Sequence, residues 1–339
     1  IEGEFQEVIN PTIPHTFNYK KYLLSKRIKY TVFTEEIDVI GHRFSFQSIR
    51  FNIADYIDRN APLSGHYIKT FILADQSGFE ESIKEDIDVL GISHLFAVSG
   101  LHIGLLTMAI DRLTKKLFPK ISPQKVIIPI LFSYMILTSF SPSVVRAGCL
   151  YLGIVLNKKY TLELSLLDIL SIIFLGYLIV SPYAIYSLGF SLSFLVTFSI
   201  ILGQYILKDK TNTIQLLLIS MIAMLIALPI TVNINKEINV LTIIVNVFLI
   251  YGMSFVILPV GYMTFIIPFL DPVYYQLIRL YERLIQVMAG INVFRFDFVF
   301  VNHIQVLTYY VLVLLFFASF GRASLQRQTV ILLVFLLQF

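Results

Sequence analysis

Tryptophan is absent from the 339 residues, cysteine occurs once, and charged residues make up only 14% of the chain. A soluble domain averages roughly a quarter charged residues. With 57% hydrophobic residues and a mean hydropathy of +0.78, this shortage of charge argues against a soluble enzyme and a disordered chain alike. The single cysteine, Cys149, excludes an internal disulfide and a cysteine metal site. It lies in an apolar stretch and reads as a packing residue. No Walker P-loop, HExxH or His-x-His-x-Asp-His cluster occurs, which argues against a Walker nucleotidase and a metal hydrolase. Alternating ten-residue strands are also lacking, so helices rather than a barrel must satisfy the backbone in hydrocarbon.

What is present is a set of long apolar runs. Candidate spans fall at roughly 92–110, 126–140, 143–157, 166–181, 187–207, 213–232, 238–258, 304–320 and from about 329, with 259–270 short or re-entrant. Residues 273–290 carry Arg279, Glu282 and Arg283 and read as an interfacial amphipathic helix. The fold expected is an all-α polytopic membrane protein of about 8–10 membrane segments, some broken or re-entrant, with a short extracellular β/α N-terminal remnant. Residues 1–33, with FQEVI and YTVF, read as the end of a small β domain; 34–90 as an extracellular or interfacial amphipathic helical segment; 91–339 as the membrane domain, truncated in its last span. The chain begins at Ile1 rather than Met and stops within VFLLQF, as a piece of a longer protein would.

Charge divides the chain. Residues 1–90 hold ten Lys and Arg against fourteen Asp and Glu, whereas residues 91–339 hold sixteen against eight. Lys and Arg concentrate at 112–125, at Lys158-Lys159, at Lys208 and Lys210, and at Arg322 and Arg327; the loops between are poor in them. By the positive-inside rule the rich loops are cytoplasmic, which puts the N-terminal segment and the C-terminal end outside if 259–270 crosses.

Three clusters place polar groups where they are costly. The stretch Gly91-Ile-Ser-His94-Leu-Phe-Ala-Val-Ser99-Gly100-Leu-His102-Ile-Gly104 sits in an apolar run. On one helix, His94 and His102 would lie about 80° apart, Ser99 and His102 would be neighbours, and Gly100 and Gly104 would form a close-approach face. This stretch is a hydrogen-bonded helix contact, the lining of a polar path, or a site of chemistry. The second cluster is Ser141-Pro-Ser-Val-Val-Arg146-Ala-Gly148. Arg146 needs a partner: Asp168, a passing phosphate, or the interface by snorkelling. The third is Ser187-Leu-Gly189-Phe190-Ser191-Leu-Ser193-Phe194, where one serine lines an interior and the other back-bonds to its own helix. Gly148 and Gly189 join Gly100 and Gly104 as expected packing positions. Outside, Lys20, Lys21, Lys26, Arg27 and Lys29 interleave with Phe17, Tyr19, Tyr22 and Tyr30, a pattern that suits phosphates and bases and equally a solvated face.

GISHLFAVSGLHIGLL, followed in order by PSVVRAG and SLGFSLSF and preceded by TFNYKKYL, resembles the ComEC family of competence proteins over about residues 10–339. The resemblance implies an inner-membrane channel for single-stranded DNA in natural transformation, with residues 1–33 the end of an extracellular OB-type domain. Its partners would be the lipid bilayer, a surface DNA receptor, a cytoplasmic ATPase or helicase translocase, and a C-terminal extracellular nuclease domain outside this chain. A homo-oligomer is compatible. No cofactor and no enzymatic activity is expected of this segment. The expected path lining is His94, Ser99, His102, Arg146, Ser191 and Ser193. Two rival readings are an intramembrane serine hydrolase with Ser99 as nucleophile, His94 or His102 as base and Asp168 as orienter, and a transporter of small solutes or lipid intermediates. The second is disfavoured by the scarcity of acidic residues in the spans.

Overall fold

The structure, a computed structural model, describes residues 4–9, 18–26, 28–34, 45–208, 210–235, 237–239, 241–291, 295–297 and 303–319. It opens with β1 (Glu4–Glu7), α1 (Tyr19–Ser25) and β2 (Tyr30–Phe33), the strands pairing antiparallel with Glu4 opposite Phe33. Then come α2 (Phe46–Asn60), α3 (Gly65–Leu73), α4 (Glu81–Val89), the single turn α5 (Ser93–Phe96) and α6 (Gly100–Leu117). Next are α7 (Pro123–Leu137), α8 (Pro142–Tyr160), α9 (Leu166–Val180), a 3-10 turn (Pro182–Tyr186), α10 (Leu188–Leu202), α11 (Gln204–Leu207) and α12 (Asn212–Asn235). The remainder is β3 (Glu237–Asn239), α13 (Thr242–Gly252), α14 (Leu258–Ile266), α15 (Asp271–Ala289), β4 (Arg295–Asp297) and α16 (His303–Ser319). The expected final span from about 329 lies outside the described residues.

The described residues are almost wholly helical, and among them two stretches are long and apolar enough to cross a membrane: Asn212–Ile234 and Thr242–Ile266. α9 and α10 are apolar but have 15 residues each. Such helices reach about 22 Å, against a hydrocarbon core of about 30 Å.

Three expectations are revised. First, the 92–110 run is not one helix. Ala97 (ψ 140°) and Ser99 (φ −124°, ψ 174°) are extended, so α5 and α6 are separate. α6 then continues to Leu117, and its charged last turn reaches beyond the apolar run. Second, 259–270 is not a span of its own. α13 runs on through a π turn (Met253–Ile257) into α14, so that Pro259, which lacks an N–H, is carried inside one helix. Third, α15 is not simply an interfacial helix. Asp271, Tyr274, Ile278, Tyr281, Ile285 and Ala289 recur at helical spacing and are buried, packed against α4 and α14. β4 follows α15 and pairs with β3, which follows α12. The α13–α14 helix therefore leaves that end of the molecule and α15 returns to it. The return that sequence placed at 259–270 belongs to α15.

Nor does residue 90 separate two cores. α3 is buried nearly throughout, and Ile57, Tyr67, Phe71, Ile87, Leu95 and Phe96 share one core with Val245, Leu249, Met253, Tyr274 and Ile285. A second core joins α9, α10, α12 and α16 around Phe190, Phe194 and Ile226; a third joins α6, α7 and α8 around Ile103, Ile127 and Val144. At the end of α4, Gly91 takes φ +64°, and Ile92 N–H returns to Ile87 C=O at 3.0 Å. Only glycine adopts that left-handed position freely, and it aims α5 back into the first core.

The α2–α3 hairpin is tied down at its tip. The buried carboxylate of Asp271 accepts from Leu63 N–H (3.1 Å), Ser64 N–H (3.0 Å) and the Ser64 hydroxyl (2.5 Å). Asp271→Ala would leave these donors unpaired. We expect it to cost about 2–4 kcal/mol, read as a lowered unfolding midpoint of the detergent-solubilised protein. An unchanged midpoint would mean that the tip is not held by this residue.

Candidate functional site

Residues of the three sequence clusters meet near the N-terminal ends of α6, α8 and α10, where Arg146 of α8 reaches both Gly100 of α6 and Ser193 of α10. At α6, Ser99 is the N-cap: its Oγ accepts from Leu101 N–H at 3.3 Å. His102 completes a capping box, its Nδ1 lying 3.3 Å from Ser99 N and 2.9 Å from Ser99 Oγ. Because Ser99 N–H donates to Nδ1, the ring is neutral and its hydrogen is on Nε2. His102 is only 1% exposed, lies 5.6 Å from the Phe71 ring, and its Nε2 has no hydrogen-bond partner among the described residues.

Arg146 lies one turn into α8 and is 8% exposed. Its Nη1 donates to the Ser193 carbonyl of α10, which also accepts from Thr197 Oγ1 at 2.8 Å. On the other side Arg146 meets α6: a Cβ on Gly100 would stand 3.0 Å from Nη2. Gly100 is thus a close-approach glycine, but toward a guanidinium rather than a neighbouring backbone. Arg146 Nε and Ser193 Oγ are buried without a partner among the described residues. No ion pair to Arg146 occurs among those residues either. The first turns of α8 and α10 have no side-chain cap, so their free N–H groups add positive potential near the guanidinium. A buried cation, the uncapped N-termini of α8 and α10 and unpaired donors make a site suited to an anion.

Several predicted residues lie elsewhere. Asp168 is not the partner of Arg146; it is exposed and closes a capping box with Ser165 at the start of α9 (Oδ2 to Ser165 N, 2.8 Å). The Ser–His–Asp arrangement of the rival hydrolase reading is therefore not assembled, although Ser99 and His102 do touch. His94, on α5, does stay close to the cluster: its ring meets the Gly91 carbonyl and it lies within electrostatic range of His102. Ser191 Oγ bonds back to Ile185 C=O at 3.3 Å, and Ser193 meets Arg146 through its backbone carbonyl rather than its hydroxyl. Gly104 has open space around it among the described residues, and Gly189 meets only Ser187 Oγ, at 3.8 Å; neither holds two helices together. Gly148 packs on Met135 of α7. The Ser193 carbonyl and Phe71 were not anticipated; a carbonyl carries no sequence signal, and Phe71 lies 31 positions from His102.

The basic-aromatic segment folds as α1 against the Pro182–Tyr186 turn. Lys20 pairs with Glu7 at 3.3 Å, Lys21 stands 5.2 Å from the Tyr186 ring centroid, Lys26 stands 6.0 Å from that of Tyr22, and Lys29 is exposed. Arg27 lies outside the described residues.

The sequence pattern of a family described as "Competence protein" matches residues 71–323. "ComE operon protein 3" of Bacillus subtilis (strain 168) is 30% identical over 271 residues, covering 76% of this chain and 34% of the relative. "Uncharacterized protein MG316 homolog" of Mycoplasma pneumoniae is 26% identical over 182 residues, 53% of this chain and 46% of that protein. The chain thus spans between a third and a half of the length of these relatives. No solved structure matches it.

The capping box makes a test. Ser99→Ala and His102→Ala should each cost about 1 kcal/mol. Together they should cost less than the sum by at least about 0.5 kcal/mol, because both act on one helix end. Strict additivity in a double-mutant cycle of thermal unfolding would show that the two do not act as a unit.

Proposed function

The chain belongs to the ComEC family of competence proteins, and on that premise we propose that it forms the membrane part of a route for single-stranded DNA during natural transformation. The observation that carries this reading is Arg146, a buried guanidinium with no carboxylate partner among the described residues, set near the uncapped N-termini of α8 and α10. A DNA strand brings a phosphate at every nucleotide, and a positively charged site with unpaired donors receives each in turn. Ser99, His102 and Ser193 serve the same passage as neutral polar neighbours, so that phosphates are not held by several full charges at once.

The multi-pass topology expected from Lys and Arg is part of this reading. It is supported by the contact of α1 with the Pro182–Tyr186 turn and of α4 with β3, since each pair unites two stretches assigned to the outside. The site then lies about one turn below the outer ends of α6, α8 and α10, in the cytoplasmic membrane. The chain itself is a conduit rather than a catalyst. A surface receptor delivers DNA, a nuclease domain of the same protein supplies the single strand, and a cytoplasmic ATPase pulls it. A homo-oligomer remains compatible with the route.

In a transforming host, Arg146→Met should lower entry of end-labelled DNA into a DNase-resistant state at least tenfold. Membrane abundance and surface-bound DNA should be unchanged, and Arg146→Lys should keep part of the uptake. Wild-type uptake by Arg146→Met at normal abundance would remove Arg146 from the route.

A further inference from the structure

α6, α7 and α8 alternate in direction around the third core, so the end of α6, the start of α7 and the end of α8 share one end of the bundle. Tyr151 of α8 lies within electrostatic range of Asp111 and Lys115 of α6, in keeping with that register. Seven exposed cations gather there. Arg112, Lys115 and Lys116 end α6, Lys120 lies on the connection, Lys125 is in the first turn of α7, and Lys158 and Lys159 end α8. Between residues 101 and 200 the sequence has three acidic residues, Asp111, Glu163 and Asp168. Asp111 is paired with Lys115 at 2.7 Å, and Asp168 is held by Ser165. The C-terminal ends of α6 and α8 are negative and suit lysine. Lys125 instead sits at the positive end of α7, where the first turn holds no acidic residue. Apolar side chains are interleaved with these cations: Leu117 is 61% exposed and Phe118 56%, with Leu113 and Ile121 exposed beside them.

We propose that this end of the bundle binds acidic phospholipid headgroups of the cytoplasmic leaflet. The cations hold the headgroup phosphates while Leu113, Leu117, Phe118 and Ile121 enter the boundary of the acyl chains. The proposal rests on the topology given above and goes beyond the DNA route. An acidic lipid matches the patch in both of its chemistries, an anion at the surface and hydrocarbon directly beneath it. A DNA strand would satisfy the cations but leave the exposed leucines and isoleucine in water. The excess of cations over carboxylates, and Lys125 at a helix end that repels it, both call for an anion supplied from outside the chain. The patch is also distinct from the Arg146 site. Lys158 lies twelve residues beyond Arg146, about 18 Å along α8. Packing α6 on α8 creates the surface, because each helix alone ends in only two or three cations.

The test uses the full-length protein in mild detergent, with phosphatidylglycerol or phosphatidylcholine added to the micelles. Phosphatidylglycerol should raise the thermal unfolding midpoint by about 3 °C or more, and phosphatidylcholine should not. A variant carrying Arg112→Gln, Lys116→Gln, Lys158→Gln and Lys159→Gln should lose at least half of that shift. Salt at about 0.5 M should weaken the wild-type shift, because headgroup contacts are screened. Equal shifts from the two lipids, or a full phosphatidylglycerol shift in the quadruple variant, would overturn the proposal. A short single-stranded oligonucleotide in place of lipid should leave the midpoint unchanged. If it raises the midpoint and the quadruple variant abolishes that rise, the patch receives the strand and the lipid proposal falls. Arg146→Met should keep the full phosphatidylglycerol shift, so the patch can fail while the Arg146 route stands, and the reverse. Loss of the shift in Arg146→Met would place the lipid at Arg146 and overturn the patch. Should the quadruple variant fail to accumulate, the salt series decides: a shift that salt does not weaken overturns the proposal.

Discussion

A guanidinium taken out of water must be repaid by fixed partners, and at Arg146 those partners come from two other helices. Nη1 needs a carbonyl, which α10 supplies at Ser193; Nη2 needs space, which α6 supplies by having glycine at position 100. Both demands fix the spacing of α6, α8 and α10 at one end. No carboxylate among the described residues neutralises it, so the guanidinium is held by a carbonyl and by space alone.

The break at residues 97–99 serves the same arrangement. Ile92, Leu95 and Phe96 are buried in the first core, whereas Val98 and Ile103 are buried in the third. An unbroken helix would carry both sets along one axis. The extended backbone at Ala97 and Ser99 instead lets the chain leave one core, cap α6 with Ser99, and set Gly100 against the guanidinium. The cost of exposing the first N–H groups of α6 is offset by the Ser99–His102 capping box, which also buries the imidazole beside Phe71.

Much of this was legible in the sequence, for identifiable reasons. Apolar runs predict helices because hydrocarbon forces internal backbone pairing, and the runs at 126–140, 143–157, 166–181 and 213–232 correspond to α7, α8, α9 and α12. A charged or polar residue inside such a run is conspicuous, so Arg146, His102 and Ser193 stood out. The pairing was less legible. Asp168 was a reasonable partner for Arg146 by charge, but a backbone carbonyl is present at every residue and announces nothing. The glycines separated in the same way: Gly100 and Gly148 meet side chains, Gly104 meets open space, and spacing alone could not distinguish them.

The sequence by itself determined the helical class, the segregation of charge and the residues that carry polarity into the apolar part, because each follows from local composition and the cost of burial. Tertiary structure decided what depends on distant segments meeting: that Arg146 binds a carbonyl 47 positions away, that α3 belongs to the same core as α15, and that α1 joins the Pro182–Tyr186 turn. It also decided that α15, amphipathic by pattern, returns through the domain, since an apolar stripe states that a face is covered but not by which neighbour.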